Sequence, residues 1–241
     1  MPSPTLLDHL LVVVLVTVLP FYGAWEFRRF VRRVQAGVPD ARAREYRSTM
    51  IMQWAVALGL VALWWRAGRP PDALGFALPG GVPLLVGAAI TALMVSFLFA
   101  QWSAVRRLDQ GGREGVRAQM ASVAEFLPRT GREAALFRAL SVTAGTCEEI
   151  MYRGYLIWYL AAFLGPWPAA ILSGVAFGLV HIYQGVSGAL KTGTIGLVTG
   201  LLYVGTGSLL WPMILHAAVD LSGGAIAYDV LGEDRRPAMP A

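Results

Sequence analysis

Two carboxylates and a guanidinium lie inside an apolar run that is otherwise suited to cross a membrane. Glu148, Glu149 and Arg153 belong to the stretch 146–154, and the flanks 139–145 and 155–164 carry no charge. Each ionisable group near the centre of a bilayer costs roughly 2.5–3.5 kcal/mol on insertion scales. A membrane helix keeps such groups when they pair with one another, line a wet cavity or carry out chemistry.

The composition is that of a polytopic membrane protein. Of the 241 residues, 56% are hydrophobic and 15% are charged, whereas soluble domains carry about 25% charged residues. We therefore predict an all-α fold, with residues 1–241 forming one transmembrane domain, a bundle of about seven to eight membrane helices. No basic stretch precedes the first apolar run and no Ala-x-Ala site follows it, so we expect no cleavable signal peptide.

Seven apolar segments are each long enough to span a bilayer about 30 Å thick at about 1.5 Å per residue. They run over 6–25, 50–65, 82–102, 139–164, 168–184, 189–205 and 208–228. The sixth segment is rich in glycine and is the least distinct. Eight spans, with one segment split or re-entrant, is the alternative.

The cations are distributed unevenly between the connecting stretches. One side carries 17 of the 20, in 26–49, in 103–138, and at Lys191, Arg235 and Arg236. The other side carries only Arg66 and Arg69. The positive-inside rule places the larger set in the cytoplasm. An odd number of spans then puts the N-terminus outside and the short C-terminal tail, 229–241, in the cytoplasm.

The net charge of +5 does not indicate a nucleic-acid partner, because the positive charges lie between apolar runs, as membrane topology requires. Nineteen of the 20 cations are arginine, and Ala, Gly and Val are frequent. This usage suggests a GC-rich bacterial genome, so we expect an integral protein of the bacterial inner membrane. The stretch 103–138 contains apolar residues at helical spacing beside Arg117 and Glu125, which favours a short amphipathic helix ending at Pro128; a solvated linker is the alternative.

Helical spacing sorts the three charged groups of the fourth segment. Glu149 and Arg153 are four residues apart, so they share a face and can form an ion pair. Glu148 is rotated by about 100° and has no partner on its own helix. A carboxylate placed in this way suits a general base or acid. The alternative is a network of all three groups that locks helices together and has no chemical role.

Two further spans carry polar side chains at the same spacing. Phe177 and His181 are four residues apart in the fifth segment, and His216 and Asp220 are four apart in the seventh. A lone membrane histidine is often only a hydrogen bond between helices. Ionisable groups on three separate helices instead predict one shared cavity, which these boundaries place in the cytoplasmic half of the bundle.

The order of these motifs resembles a known family. Glu-Glu-x-x-x-Arg at 148–153, Phe-x-x-x-His at 177–181 and His-x-x-x-Asp at 216–220 are similar to the motifs of the CPBP intramembrane proteases. This family is also called the Abi or CAAX-protease family, and its eukaryotic branch is the type II prenyl-protein endopeptidase. The resemblance covers roughly 125–222, and the preceding residues resemble generic membrane spans.

The resemblance implies a role for each motif residue. Glu148 would be the base that activates water, and His181 would hold or polarise that water. His216 and Asp220 would stabilise the oxyanion of the tetrahedral intermediate, a contribution of about 3–4 kcal/mol in well-studied enzymes. The supporting residues would be Glu149, Arg153 and Phe177, which orient the site.

One position departs from the prenyl-protease branch, which has Asn where this chain has Asp220. An Asn amide donates a hydrogen bond to an oxyanion, whereas an ionised Asp does not. Asp220 is therefore either protonated in its apolar setting or orients His216 instead. This departure weakens the inference of prenyl-protein specificity.

The family is often labelled as metalloproteases, and the sequence leaves the cofactor open between none and Zn²⁺. Glu148, His181 and His216 could supply two imidazoles and a carboxylate with an open position for water, which suits Zn²⁺. A metal-free glutamate mechanism uses the same residues, and we favour it.

The resemblance implies an intramembrane endopeptidase that cuts a peptide bond in a membrane-embedded or lipid-anchored protein from a cavity facing the cytoplasm. Its partners are then the lipid bilayer and a membrane-anchored protein or peptide substrate. A sorting protease acting on C-terminal anchor tails is a variant of this hypothesis. The rivals are a non-catalytic bacteriocin-immunity or scaffold protein and a transporter with a proton relay, since membrane Glu and His residues also mark proton paths.

Overall fold

A computed structural model describes residues 3–233, and the regular elements in that range are all helical. Four helices are long and apolar enough to cross a membrane: Leu6–Gln35 (α1), Ala41–Arg66 (α2), Gly81–Arg106 (α3) and Leu210–Leu231 (α9). These helices and the motif resemblance indicate an integral membrane protein. The all-α prediction is confirmed, whereas the count of seven to eight spans exceeds these four helices and stays a prediction.

Five further α-helices lie between α3 and α9 in the described residues. They are Gln110–Gln119 (α4), Gly131–Glu149 (α5), Ile157–Leu164 (α6), Pro166–Val180 (α7) and Val186–Thr206 (α8). A π-helical segment, Ile150–Leu156, joins α5 to α6 without a break. The predicted segment 139–164 is therefore one continuous helical rod with a widened middle.

The widened middle of this rod coincides with a side-chain contact from α7. Ser173 Oγ donates a hydrogen bond to the backbone carbonyl of Tyr152, at 2.8 Å. Side chains that insert into the backbone ladder are a recognised cause of irregular helical turns. Short π-helical segments occur frequently at functional sites, and this one contains Arg153.

The first connecting stretch differs from the sequence-based prediction. The stretch 26–49 is mostly helical, because α1 continues to Gln35 and α2 begins at Ala41. Arg33 Nη2 lies 2.8 Å from Glu26 Oε1 and 2.7 Å from Glu45 Oε2. Hydropathy marks where the apolar window ends, but these ion pairs allow both helices to extend beyond it.

The predicted amphipathic helix is present but shorter than the apolar spacing indicates. Helix α4 begins after Asp109, whose side chain accepts a hydrogen bond from Gly112 N at 2.9 Å, and it ends at Gln119. Arg117 Nη2 donates to the carbonyl of Val230 at 2.7 Å, which docks α4 against the end of α9.

The two arginine-rich stretches meet at one end of the bundle. Arg42 Nε, at the start of α2, donates to the carbonyl of Glu125 at 2.8 Å. At the opposite end of the bundle, near the start of α1, Arg69 Nη1 donates to Asp8 Oδ1 at 2.8 Å. The charge asymmetry in the sequence thus corresponds to two separate ends of the molecule. Arg235 and Arg236, with most of the predicted tail 229–241, lie outside the described residues.

Candidate active site

Helices α5 and α9 approach each other at a glycine. A Cβ atom on Gly145 would lie 2.7 Å from the backbone nitrogen of Ala217, too close for any side chain. The two backbones therefore pack directly against each other, as small residues allow in membrane bundles. This approach brings the end of α5, with Glu148 and Glu149, beside His216 of α9.

Glu149 lies between a cation and an imidazole in the fully buried part of the site. Its Oε1 lies 3.1 Å from Arg153 Nη1 and 2.7 Å from His216 Nδ1. The side chains of Glu149 and Arg153 are 0% exposed. A carboxylate only accepts hydrogen bonds, so the proton of this bond is on Nδ1 of His216. The Glu149–Arg153 pairing predicted from helical spacing is present, and the bond to His216 is an addition to it.

Phe177 is the apolar centre around which these groups are arranged. The guanidinium carbon of Arg153 lies 4.3 Å from the centroid of the Phe177 ring, which is cation–π distance. The ring centroids of His181 and His216 lie 4.7 Å and 5.6 Å from that of Phe177. Phe177 therefore packs against the Arg153 guanidinium and against both histidine rings.

Glu148 is the more accessible of the two adjacent carboxylates, with its side chain 15% exposed. Its Oε1 accepts a hydrogen bond from Gln53 Nε2 at 2.6 Å, and its Oε2 lies 3.9 Å from His216 Nε2. Sequence reasoning missed Gln53, because it lies 95 residues away on α2. A single amide within the apolar segment 50–65 is the signal that could have identified it.

The remaining two candidates lie at the edge of the same group. His181 follows the last residue of α7, and its Nδ1 lies 2.8 Å from the carbonyl oxygen of Phe177. Because a carbonyl only accepts, Nδ1 donates and Nε2 is left available. Asp220 Oδ2 lies 3.7 Å from His216 Nε2, with the Asp220 side chain 36% exposed. Asp220 is thus near Nε2 of His216, whereas the hydrogen bond that orients the ring joins Nδ1 to Glu149.

A cavity of about 410 Å³ brings these groups to one space. Its walls include all four predicted catalytic residues: Glu148, His181, His216 and Asp220. Phe126 and Leu127, from the connection between α4 and α5, form another part of the wall. The cavity therefore lies towards the end of the bundle where the arginine-rich stretches meet.

A second cavity, of about 490 Å³, lies between α1 and α2 and reaches the same carboxylate. Tyr22, Trp25 and Phe27 give it an aromatic wall, and Gln53 and Glu148 are common to both cavities. Glu148 can therefore be approached from two sides.

The cavity residues do not form a ready metal site. Zinc bonds to nitrogen and oxygen ligands at about 2.0–2.2 Å, which requires three ligand atoms around one point. Across residues 3–233, no three His, Cys, Asp or Glu side chains are grouped in this way. The arrangement of Glu148, His181 and His216 does not fit such a site as it stands, and zinc dependence stays an untested alternative.

The segment that holds these motifs matches a known family. Residues 130–222 match the family model described as Type II CAAX prenyl endopeptidase Rce1-like. This match supports the CPBP family of CAAX proteases, and the matched segment 130–222 is called the CPBP domain below. The CPBP domain begins five residues after the start of the segment predicted from the motifs, and it includes every predicted site residue. The resemblance inferred from the sequence is thereby confirmed, and the match supports a CAAX-type intramembrane endopeptidase.

The first 129 residues lie outside the CPBP domain. They nevertheless contribute Gln53 to the candidate site and most of the wall of the second cavity. No curated protein and no solved structure gave a match to the chain.

Proposed function

We propose that this protein is an intramembrane endopeptidase that hydrolyses a peptide bond in a membrane-embedded or lipid-anchored protein, using water activated by Glu148. The observation that carries the proposal is the arrangement around Glu148 in the CPBP domain. One carboxylate oxygen is held by Gln53, while the other faces His216 Nε2 across 3.9 Å in a cavity of about 410 Å³.

The proposed reaction begins with a water molecule between Glu148 and the histidines. Glu148 Oε2 takes a proton from the water as its oxygen attacks the scissile carbonyl carbon, and Nε2 of His181 polarises that water. The carbonyl oxygen becomes an oxyanion of the tetrahedral intermediate. Glu148 then passes its proton to the leaving amide nitrogen as the C–N bond breaks, giving a carboxylic acid and an amine.

Oxyanion stabilisation is assigned to His216 and Asp220. His216 Nδ1 donates to the buried Glu149, and an imidazole that is also protonated at Nε2 would donate from Nε2 to the oxyanion. The Asp220 carboxyl group lies 3.7 Å from the same Nε2, at the accessible side of the cavity. A protonated Asp220 would add a second donor to the oxyanion.

The proposed location is the bacterial inner membrane, with the N-terminus outside, the C-terminus in the cytoplasm and the cavity facing the cytoplasm. Support comes from the position of the cavity near Phe126 and Leu127, beside the stretches that carry most of the arginines. The aromatic wall of the second cavity, at Tyr22, Trp25 and Phe27, supports a substrate with an apolar membrane-associated part.

The test compares host membranes carrying the native chain or Glu148→Gln at matched expression, by mass spectrometry of protein termini. We expect specific proteins to gain uncut termini in the Glu148→Gln sample, which would identify the substrate and its scissile bond together. Glu114→Gln is the matched control, because it makes the same change at an exposed position of α4.

The rival functions predict different outcomes of the same comparison. A well-folded Glu148→Gln protein with no altered terminus would favour an immunity or scaffold role. Proton flux in liposomes that disappears with Glu148→Gln would favour a transporter. Changed termini confined to C-terminal anchor tails would identify a sorting protease.

A further inference from the structure

Gln53 is a buried polar side chain near the middle of α2, outside the CPBP domain. It is 7% exposed and lies within the apolar segment 50–65. An amide removed from water without a hydrogen bond is costly in an apolar environment. Its position therefore depends on the partner that it finds inside the protein.

That partner is Glu148. Gln53 Nε2 lies 2.6 Å from Glu148 Oε1. An ionised carboxylate only accepts hydrogen bonds, so the amide nitrogen of Gln53, and not its oxygen, faces Glu148. Gln53 Oε1 has no hydrogen-bond partner among the described residues, so the bond to Glu148 is the one hydrogen bond that this amide makes there.

The bond gives the two oxygens of Glu148 different surroundings. Oε1 is occupied by Gln53, whereas Oε2 faces His216 Nε2 at 3.9 Å, beyond direct hydrogen-bond distance. The donor on α2 therefore restricts rotation of the carboxylate about its terminal bond. It keeps Oε2 on the side of the cavity where His181 and His216 lie.

We propose that Gln53 is a positioning residue for the hydrolytic reaction, which holds the ionised Glu148 with Oε2 directed towards His216. This inference rests on the proposed role of Glu148 as the base. It extends the working site beyond residues 130–222 and assigns a function to α2, which otherwise forms a wall of both cavities.

The charge state of Glu148 also depends on its other neighbours. Those facing it from other elements are His216 and Asp220 of α9, and His181 and Tyr183 at the end of α7. Its own helical rod contributes Cys147, Glu149, Tyr152 and Arg153. Gln53 is a neutral donor to Glu148 from a fourth direction, so its removal leaves these charges in place while withdrawing one hydrogen bond from the anion. The protonated form of Glu148 should then persist to higher pH.

The kinetic test uses Gln53→Met, which keeps the length of the side chain and removes the donor. Native and variant proteins are purified and assayed on a peptide that spans the bond found by terminal-peptide analysis. Removal of this hydrogen bond to a charged group should lower kcat by about 10- to 100-fold and leave KM within about twofold of the native value. Gln101→Met, the same change at an exposed position of α3, should match the native protein.

A second measurement does not depend on activity. Dicyclohexylcarbodiimide reacts with protonated carboxyl groups in apolar surroundings, and mass spectrometry reports the modified fraction of Glu148 as a function of pH. We expect the midpoint of labelling to move to higher pH in Gln53→Met and to stay in place in Gln101→Met. Gln53→Asn, which retains the amide but withdraws it by one methylene, should show the same shift and is used if Gln53→Met does not fold.

An unchanged kcat together with an unchanged labelling midpoint would overturn the proposal. If the labelling midpoint shifts in Gln53→Met but the native protein cleaves nothing, the proposed protease function is refuted and the Gln53–Glu148 contact is supported. The two failures are therefore distinguishable.

Discussion

His216 Nδ1 lies 2.7 Å from Glu149 Oε1, and this bond joins α5 and α9, which carry three of the four candidate catalytic groups. The same oxygen lies 3.1 Å from Arg153 Nη1. Glu149 therefore connects a structural ion pair to the histidine that faces the cavity, so a substitution at Glu149 affects both.

Because Glu149 has two partners, substitution of Glu149 should lower the free energy of unfolding more than substitution of Arg153. Glu149→Ala leaves Arg153 without its ion-pair partner and His216 without its hydrogen-bond acceptor, and we expect it to lower the free energy of unfolding by about 3–5 kcal/mol. Arg153→Ala leaves Glu149 bonded to His216 and should cost less. Unfolding of the purified variants in mixed detergent micelles measures the difference.

A double Glu149→Gln, Arg153→Gln variant is the control for this pairing. It removes both charges together, so it should recover folding relative to Glu149→Ala. Equal losses in the two single variants, or no recovery in the double variant, would contradict the pairing energetics.

The close approach at Gly145 predicts a strong effect from one methyl group. Gly145→Ala places a Cβ within 2.7 Å of the Ala217 nitrogen, so α9 must shift away from α5. We expect a loss of about 1–3 kcal/mol in stability and a larger loss of turnover, because His216 moves with α9. Thermal unfolding and peptide hydrolysis measure the two effects.

Gly59→Ala is the matched control, because nothing lies within 4 Å of the Cβ position at Gly59. The same substitution in an open helical site should raise stability by up to about 1 kcal/mol. A neutral effect of Gly145→Ala on turnover would show that α5 and α9 need not pack this closely.

The two roles considered for Asp220 predict opposite results for Asp220→Asn. Glu149 already bonds to Nδ1 of His216, so Asp220 is not required to orient that ring. We therefore expect Asp220→Asn, which supplies an amide donor, to keep turnover within about tenfold of the native rate. Asp220→Leu should lose about 10²-fold or more, as removal of an oxyanion donor does. Similar losses in both variants would assign the carboxylate itself a necessary role.

Disruption of the Asp8–Arg69 pair should lower stability and leave turnover unchanged. Arg69 donates to both carboxylate oxygens of Asp8, at 2.8 and 2.5 Å, and these hydrogen bonds raise the pKa of Arg69. Arg69→Met should lower the free energy of unfolding by about 3–5 kcal/mol, since it leaves the buried Asp8 carboxylate without its counter-ion. Turnover per folded molecule should be unchanged, because the pair lies away from both cavities.

Arg66→Met is the control for this change, because Arg66 is exposed and should alter stability by about 0.5 kcal/mol or less. A fall in turnover of folded Arg69→Met protein would instead indicate coupling between this end of the bundle and the site.

The metal-free glutamate mechanism predicts that turnover is insensitive to chelation. We expect turnover to persist after treatment with phenanthroline and after dialysis against metal-free buffer. Metal analysis of the active protein checks the result. Turnover that is lost on chelation and restored by zinc would favour the alternative in which Glu148, His181 and His216 bind the metal.

Helical spacing predicts which side chains of one helix lie near each other. Two such pairs of this site could be predicted in this way. Glu149 and Arg153 are paired as their separation of four residues predicts, and His216 and Asp220 lie on one face. The ionisable side chains of three helices also line one cavity, as predicted. Few membrane side chains are ionisable, and each needs a partner or a wet cavity.

Contacts between helices are the part that spacing does not predict. Gln53 reaches Glu148 from 95 residues away, and His216 reaches Glu149 from 67. The π-helical segment that contains Arg153 has no proline to mark it, and it coincides with a hydrogen bond from Ser173 on another helix. Such features depend on tertiary packing, which a single sequence does not encode in any short pattern.

The meeting of two cavities at Glu148 has a consequence for inhibitor design. A compound with a polar group beside Glu148 and an apolar arm extending past Tyr22 and Trp25 would occupy both cavities at once. The arm would contact residues of α1, outside the segment 130–222 that carries the family motifs. Selectivity for this protein could therefore be built on the arm, while the polar group supplies potency common to enzymes with the same motifs.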